Sequence, residues 1–363
     1  MRQVLTIFFV VLSIVITFAQ DKQEQNRHSF FHMDVFDYKY YFCYECDFPK
    51  ATHNLTLNLL AGRTYNQYGL VIGILFNVVE NNAYGVQIAG LVNRVESQGK
   101  GLAVTAVWNS YKSHTGVQIG GFNFAEKMRG LQIGFNNNSV DIQGAQIGFV
   151  NISESAQSFK GIQIGIINLR RSSGFQIGLC NVSANNQYPL GLVNIVKDGE
   201  MNLGFTYDEI GSITAQFRSG GRYLYGIVGL GYNVKSFSNH FVAQGGIGAH
   251  LSFSSKFRID TELLAKMLTR TYVYFGDNEE ERKNRQKEFD FRQLTGYSLG
   301  IFPSFKLSEK IELFGGPTLN YLQTQTLENE KLFPSKYIWR DFNSTSLKQL
   351  YVGYSLGLKY ILK

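Results

Sequence analysis

The pentapeptide GYSLG occurs twice, at 296–300 and at 353–357, and both copies match the GxSxG pattern of hydrolase nucleophiles. In those enzymes the serine stands on a sharp turn between a strand and a helix, which exposes its hydroxyl for attack. Ser298 and Ser355 lie instead within alternating residues with no helical pattern after them. The HExxH, P-loop, dinucleotide-binding and EF-hand patterns are missing from the sequence. We therefore predict no enzyme and assign no catalytic residue.

The cysteines could support redox or zinc chemistry, because Cys43 and Cys46 form a CxxC pattern. No βαβ pattern surrounds them, no second CxxC completes a zinc site, and the nearby histidines are not at ligand spacing. We interpret the pair as a local disulfide or as two structural thiols, and its state stays open. Cys180 occupies a repeat position held elsewhere by Val150 and Ile167 and is interpreted as a small apolar filler. No metal site and no cofactor is predicted.

One phrase recurs through the middle of the chain: glycine, an apolar residue, glutamine, isoleucine, glycine, two mostly apolar residues and asparagine. The clearest copies lie at 116–123, 130–137, 144–151, 161–168 and 174–181, looser ones at 69–77, 85–93 and 101–109, and a truncated one at 190–194. Such repetition predicts a repeated structural unit over 69–194. The glutamines cannot act as acids or bases near neutral pH, so we expect structural amides that hydrogen-bond one another or line a lumen.

Each copy alternates as a β-strand does, because its apolar residues fall on one face and its glycines and glutamine on the other. The period is too short for a crossover helix. Two architectures fit. In an antiparallel meander within a membrane barrel, the isoleucines face lipid and the glutamines the lumen. In a β-solenoid, the isoleucines lie inside and the asparagines stack at a corner. Connections that fail to alternate in length favour the solenoid, whereas fusion to a barrel-like half favours the meander.

The chain begins with the features of a secretory signal peptide. A charged start is followed by an apolar run from Val4 to Phe18 and by Ala19, so we predict a signal peptide over 1–19 and a mature start near Gln20 or Asp21. Residues 20–68 are interpreted as a tail and the first strands. No other run is apolar enough for a spanning helix, so a mature chain that crosses a membrane must do so as a closed barrel.

The region 195–363 changes to longer alternating segments. They lie at 202–207, 212–218, 222–234, 241–254, 256–270, 297–307, 310–323 and 351–362. Several have the length of tilted membrane strands, and tyrosines fall near many of their ends. Short Ser-x-Lys turns contrast with long polar loops at 277–288 and 326–349, which is the asymmetry of an outer-membrane barrel. We expect both long loops at one rim, facing outside the cell. A soluble β-sandwich is the alternative.

The repeats resemble those of a largely uncharacterised family of exported surface-repeat proteins found in Bacteroidota and spirochaetes. The GxQIGxxN copies carry the resemblance, together with the segments at 207–210 and 217–222. The resemblance implies an outer-membrane or cell-surface location in a Gram-negative bacterium and brings no catalytic residues.

We therefore expect a structural or interaction role, with outer-membrane lipid as one partner and an extracellular ligand or protein bound through loops 277–288 and 326–349. A transport pore is the alternative. The formal net charge of +7 is spread along the chain, so no nucleic-acid partner is predicted.

Overall fold

A computed structural model of the chain describes residues 28–36, 50–154, 160–171, 174–184, 188–236, 240–269, 294–325, 327–343 and 346–363. The predicted signal peptide, Cys43, Cys46 and loop 277–288 lie outside the described residues. Those residues contain β-strands, one 3-10 helix at Leu327–Leu332 and no α-helix. The all-β prediction is confirmed. The chain divides into two compact units, Met1–Gly165 and Ile166–Lys363.

The N-terminal unit consists of parallel strands. They are β1 (His28–Phe36), β2 (Thr52–Thr64), β3 (Asn66–Gly73), β4 (Phe76–Val79), β5 (Asn82–Ala89), β6 (Val92–Thr105), β7 (Trp108–Ile119), β8 (Phe122–Ser153) and the first part of β9 (Lys160–Arg170). Equivalent repeat positions pair in register, as Gly69 does with Gly85 and Gly116 with Gly130. Each repeat is therefore one coil of a β-solenoid. The parallel pairing is that of the solenoid alternative and not that of the antiparallel meander.

The first glycine of each repeat is required by the way the coils stack. In six coils this glycine has a positive φ between 117° and 141°, a conformation that residues with a side chain rarely adopt. A Cβ on Gly130 would also lie 2.0 Å from the carbonyl oxygen of Gly116 in the preceding coil. The repeat therefore begins with glycine because two backbones meet there.

The C-terminal unit contains the last coils and a barrel. The last coils use the rest of β9, β10 (Phe175–Ile177), β11 (Cys180–Ser183), β12 (Pro189–Leu190) and β13 (Val193–Val196). The barrel strands are β14 (Glu200–Asp208), β15 (Ser212–Gly220), β16 (Leu224–Asn233), β17 (Phe241–Ser252), β18 (Phe257–Thr269), β19 (Leu294–Lys306), β20 (Ile311–Thr324) and β22 (Leu347–Ile361). These eight strands are antiparallel, and pairing of β14 with β22 closes the barrel. The short β21 (Trp339–Phe342) pairs with β22.

The barrel register places the two kinds of connection at opposite rims. Leu268 pairs with Leu294, Leu294 with Thr324 and Thr324 with Leu347, so the strand ends that flank both predicted long loops share one rim. The serine turns that join β17 to β18 and β19 to β20 lie at the other rim. Of the second long loop, 326–349, the described part contains the 3-10 helix, β21 and the start of β22.

Candidate functional site

The solenoid has a polar interior built on a ladder of asparagines. From Asn58 to Asn137, each ladder asparagine donates its side-chain N–H to the side-chain oxygen of the asparagine one coil later. Asn109 donates to Asn123 at 2.9 Å, and Asn123 to Asn137 at 2.8 Å. The same amide group donates to a strand carbonyl, as Asn123 does to Ile133 at 2.9 Å. The fully buried amides are therefore paired with one another and with the backbone, which offsets the cost of burying them.

A second ladder, of glutamines, runs beside it in the opposite direction. Gln132 donates to Gln118 at 2.7 Å, Gln146 to Gln132 at 2.9 Å, and Gln163 to Gln146 at 2.7 Å. All four side chains are fully buried. The prediction of amides that hydrogen-bond one another is confirmed. Because an amide carries both a donor and an acceptor, it can be repeated indefinitely along a stack of coils.

The isoleucines lie on the outside of the solenoid, which corrects part of the solenoid interpretation. That interpretation placed them in the core. Ile147 and Ile164 are 40% and 38% exposed, and Ile133 and Ile177 share their partly exposed face. The expectation that these four residues share one environment and their neighbouring glutamines the opposite one is confirmed. The core assignment was wrong because the interior is occupied by the amide ladders and by a buried apolar cluster from the other strand segments of the coils, which includes Val79, Val95, Met128 and Ile142.

The glutamine ladder stops where one coil carries Ala103 instead of glutamine. Tyr111 and His114 fill that part of the interior, with ring centroids 4.6 Å apart, and the Tyr111 hydroxyl donates to Gln87 Oε1. Gly99 leaves room for both rings, since a Cβ there would lie 2.5 Å from Tyr111. Burial lowers the pKa of His114 from 6.5 to about 4, so this imidazole is neutral at pH 7.

The barrel is likewise polar inside, but it uses charged pairs. Arg218 donates two hydrogen bonds to Glu262, at 2.8 and 3.3 Å, and the Tyr225 hydroxyl donates to Glu262 at 2.9 Å. The Arg218 guanidinium also lies over the Phe314 ring, 4.9 Å from its centroid. Arg218 and Glu262 are each 1% exposed. This bidentate pair links β15 to β18 across the lumen.

A second charged network fills the lumen toward the rim of the serine turns. Arg258 donates to Glu200 at 2.7 and 2.9 Å and to Glu312 at 2.9 Å. Lys359 contacts Glu312 at 3.1 Å and also pairs with Asp260. Asp260 accepts a further hydrogen bond from Ser304 at 2.9 Å. Strands that are distant in sequence are thus joined through buried charges.

The opposite rim is filled by apolar side chains. Leu332 and Phe333, at the end of the 3-10 helix, pack with buried residues of the barrel wall. That cluster also contains Ile210, Val242, Leu268, Leu294, Leu322, Leu347 and Tyr351. Side chains therefore occupy the described lumen, as expected for a barrel of eight strands.

The outer wall of the barrel is apolar. Outward positions carry large exposed hydrophobic side chains, among them Leu203, Phe205, Ile213, Leu230, Leu251, Leu263, Leu299, Ile301, Leu313, Val352, Leu356 and Leu358. Tyr207, Tyr232 and Tyr297 lie toward the rim of the long connections. Soluble proteins rarely expose so large an apolar surface.

The last solenoid coil packs against this wall within the C-terminal unit. The backbone N–H of Asn194 donates to Ser219 Oγ at 2.9 Å, and the Asn194 side chain donates to the Ser219 carbonyl at 3.3 Å. The asparagine ladder therefore ends on β15. Gly226 in β16 permits this contact, because a Cβ there would lie 2.0 Å from the Gly191 carbonyl oxygen. Leu192 lies over Gly245 on β17.

The residues singled out by chemistry do not come together as a site. Ser298 lies within β19 and Ser355 within β22, and neither stands at a strand-to-helix turn. Cys180 pairs with Ile167 and Val193 of the adjacent coils, in an apolar row as interpreted. Within the described ranges, no group of three or more His, Cys, Asp or Glu could hold a metal ion. The sequence analysis missed the luminal ion pairs, whose signal was the charge at inward-facing strand positions.

None of the helices in the described part of the chain is long and apolar enough to span a bilayer. Comparison with protein-family models and with curated proteins returned no match.

Proposed function

We propose that this protein is an outer-membrane protein whose barrel is embedded in the bilayer and whose role is structural or interactive at the cell surface. The observation that carries the proposal is the polarity of the closed barrel, which is apolar outside and filled with paired charges inside. A bilayer supplies the apolar surroundings that this wall requires, and a closed barrel leaves no unpaired strand edge in hydrocarbon. The resemblance to exported surface-repeat proteins of Bacteroidota and spirochaetes supports the same location.

The test is fractionation and heat-modifiable mobility of the exported protein. We expect the protein in the outer-membrane fraction after alkaline washing, with faster migration in SDS before boiling than after it. N-terminal sequencing should give a start near Gln20 or Asp21. A protein that is released by washing and whose mobility boiling does not change would contradict the proposal.

Orientation is tested by protease treatment of intact cells. We propose that loops 277–288 and 326–349 face outside and bind an extracellular ligand or protein, because loops on a rigid scaffold carry recognition. Trypsin should cut around Arg282, Lys283 or Arg285 and should leave the turns at Lys256 and Lys310 intact. If trypsin cuts these loops only after lysis, either the proposed orientation or the membrane assignment is wrong.

A transport pore is the competing function, and the filled lumen argues against it. The charged networks and the cluster that contains Leu332 and Phe333 place side chains within the described lumen. Purified protein in a planar bilayer should therefore show no conductance steps. Stable steps would restore the pore hypothesis.

A further inference from the structure

The solenoid carries an apolar outer face that the described residues of the N-terminal unit do not cover. We call it the isoleucine face; it consists of the outward side chains between the first glycine and the asparagine of each repeat. Its large members are 37–57% exposed and include Ile72, Ile74, Ile88, Ile119, Phe135, Ile147, Phe149, Ile162 and Ile164. These side chains lie on the outside of the coils and do not belong to the buried apolar cluster of the interior. The face is an extended apolar surface of the kind that marks an interaction site.

One border of the isoleucine face is a row of exposed aromatic rings. Trp108 stacks on Phe122 with ring centroids 5.8 Å apart, and Phe135 stacks on Phe149 at 5.0 Å. Phe122 and Phe135 meet edge to face at 6.4 Å, which makes the row continuous. Tryptophan is enriched where proteins meet the boundary between acyl chains and headgroups, and the phenylalanines beside it extend the apolar surface.

The other border, just before the glycines, carries tyrosines and long cations. Tyr68, Tyr84, Lys100, Thr115 and Arg129 are paired in register across successive coils. Tyr68 and Tyr84 stack with centroids 5.1 Å apart, and Lys100 and Arg129 are exposed. Lysine and arginine at an apolar edge can lay their methylenes on hydrocarbon while the charge reaches phosphate.

A surface depression lies along this second border. Its volume is about 610 Å³, and its lining includes Tyr84, Lys100, Ser113 and Thr115. Hydroxyl groups and one cation around a concave site suit an anionic headgroup better than an apolar protein side chain.

On several coils of the N-terminal unit the remaining outer surface is charged. Between the asparagine and the next glycine the outward positions include Arg94, Glu96, Lys112, Glu126 and Lys127, all exposed. The solenoid is therefore amphipathic on its outside, with one face suited to hydrocarbon and another to water. This is the pattern of an element that lies in the membrane interface.

The C-terminal unit shows the same face beside the barrel wall. Phe175 and Leu179 are 38% and 54% exposed on the last coils, while Leu192 packs over Gly245 on the apolar outer wall. The apolar surfaces of coil and barrel thus meet within one unit. The medium that covers the barrel wall around this contact therefore also covers the apolar face of these last coils.

We propose that the isoleucine face is a lipid-docking surface, covered by the acyl chains of the membrane that holds the barrel, with the cationic border on the phosphate headgroups. The inference rests on the proposed function and extends it, since it makes the repeat array a second membrane contact. A second copy of the chain is the other occupant of suitable chemistry, and the experiment separates the two.

The two tryptophans provide the test. The Trp339→Phe variant leaves Trp108 at the border of the face as the single reporter, and Trp108→Phe is the matched control that reports from β21. Each full-length protein is reconstituted into phosphatidylcholine vesicles with and without brominated acyl chains. Flotation and heat-modifiable mobility are recorded on the same samples. We expect brominated lipid to quench the Trp108 emission and aqueous iodide to leave it unchanged.

Each outcome decides between the proposals. If the protein floats and is heat-modifiable but Trp108 is quenched by iodide and not by bromine, lipid docking is wrong and the barrel assignment stands. If Trp108 is shielded from both quenchers and the particle has the mass of a dimer, a second copy covers the face and lipid docking is again wrong. A protein that does not associate with vesicles at all overturns both proposals.

Discussion

The solenoid and the barrel bury polar side chains in two different ways. The solenoid stacks neutral amides, each of which donates to one neighbour and accepts from another, whereas the barrel joins unlike charges such as Arg218 and Glu262. A repeating coil presents the same position again and again, which suits a group that can pair with its own copy. A barrel without repeats has no such constraint and can use specific ion pairs. In this protein, sequence periodicity thus selects the chemistry of each polar interior.

The largest expected effect comes from breaking a charged pair in the barrel. Glu262→Ala leaves the Arg218 guanidinium buried without its bidentate partner and removes the acceptor of Tyr225. Breaking a buried pair costs about 3–5 kcal/mol. We expect a lower urea midpoint for unfolding from lipid, followed by loss of heat-modifiable mobility.

The control is the double variant Arg218→Met with Glu262→Leu, which removes both charges. Apolar replacement of a buried pair is often neutral, so this variant should recover most of the lost stability. Equal losses in the single and double variants would mean that the pair is not the source of the stability.

The next largest effect is expected when a side chain is added at the first glycine of a repeat. Gly130→Ala forces a positive φ of 132° on alanine and places its Cβ 2.0 Å from the Gly116 carbonyl oxygen. Backbone strain of this kind costs about 1–3 kcal/mol, and the clash adds to it. Amide hydrogen exchange should show faster opening of β7 and β8 and unchanged barrel strands. The neighbouring Arg129→Ala, exposed and free of the clash, should leave exchange as it is.

A single missing rung in the asparagine ladder should cost less. Asn123→Ala removes the amide that donates to Asn137 and to the Ile133 carbonyl, and leaves Asn109 without its acceptor. Unsatisfied buried groups cost about 1–3 kcal/mol. Hydrogen exchange of the N-terminal unit should detect this loss. A variant as stable as the parent would mean that water replaces the rung.

A charged substitution on the isoleucine face should cost different amounts of stability inside and outside a lipid bilayer. Ile164 is outward and 38% exposed, so Ile164→Asp should cost least in detergent micelles, whose mobile surfactant can withdraw from the new carboxylate. In lipid the carboxylate must leave the hydrocarbon, and we expect an added cost of up to about 2 kcal/mol. Denaturant midpoints in vesicles and in micelles measure the difference. An equal cost in both would place Ile164 in a protein contact.

Much of the fold was predictable because alternation is a local property of the sequence. All eight barrel strands overlap the segments predicted for 195–363, and the serine turns lie at the opposite rim from the long connections. The repeat period predicted one strand-containing unit per copy. Residues such as Ile164 and Gln163 were correctly placed on opposite faces.

The direction of those faces was not predictable in the same way. Alternation separates Ile164 from Gln163 without saying which is inside, and hydrophobicity alone puts isoleucine in a core. Which face lies inside depends on the amide ladders between coils, and those ladders require parallel pairing in register. The luminal networks were missed for a related reason: Arg218 is far from Glu262 in sequence, as Lys359 is from Asp260, and each pair meets only when the barrel closes.

The last expected effect is a pH dependence of the stability of the solenoid. The pKa of His114 is about 4 in the folded protein because of burial, against an ordinary value of 6.5. Between these values the unfolded chain binds more protons, so stability is unaffected above pH 6.5 and falls as the pH drops toward 4. The loss can approach about 1.4 kcal/mol per pH unit. Urea titrations of the Trp339→Phe protein, followed through Trp108 fluorescence, should show this loss of stability.

In His114→Gln the slope of stability against pH should be smaller but not zero, because the pKa of His53 is also lowered to about 4, chiefly by burial. An unchanged slope in that variant would assign the dependence to His53 or to the carboxylates.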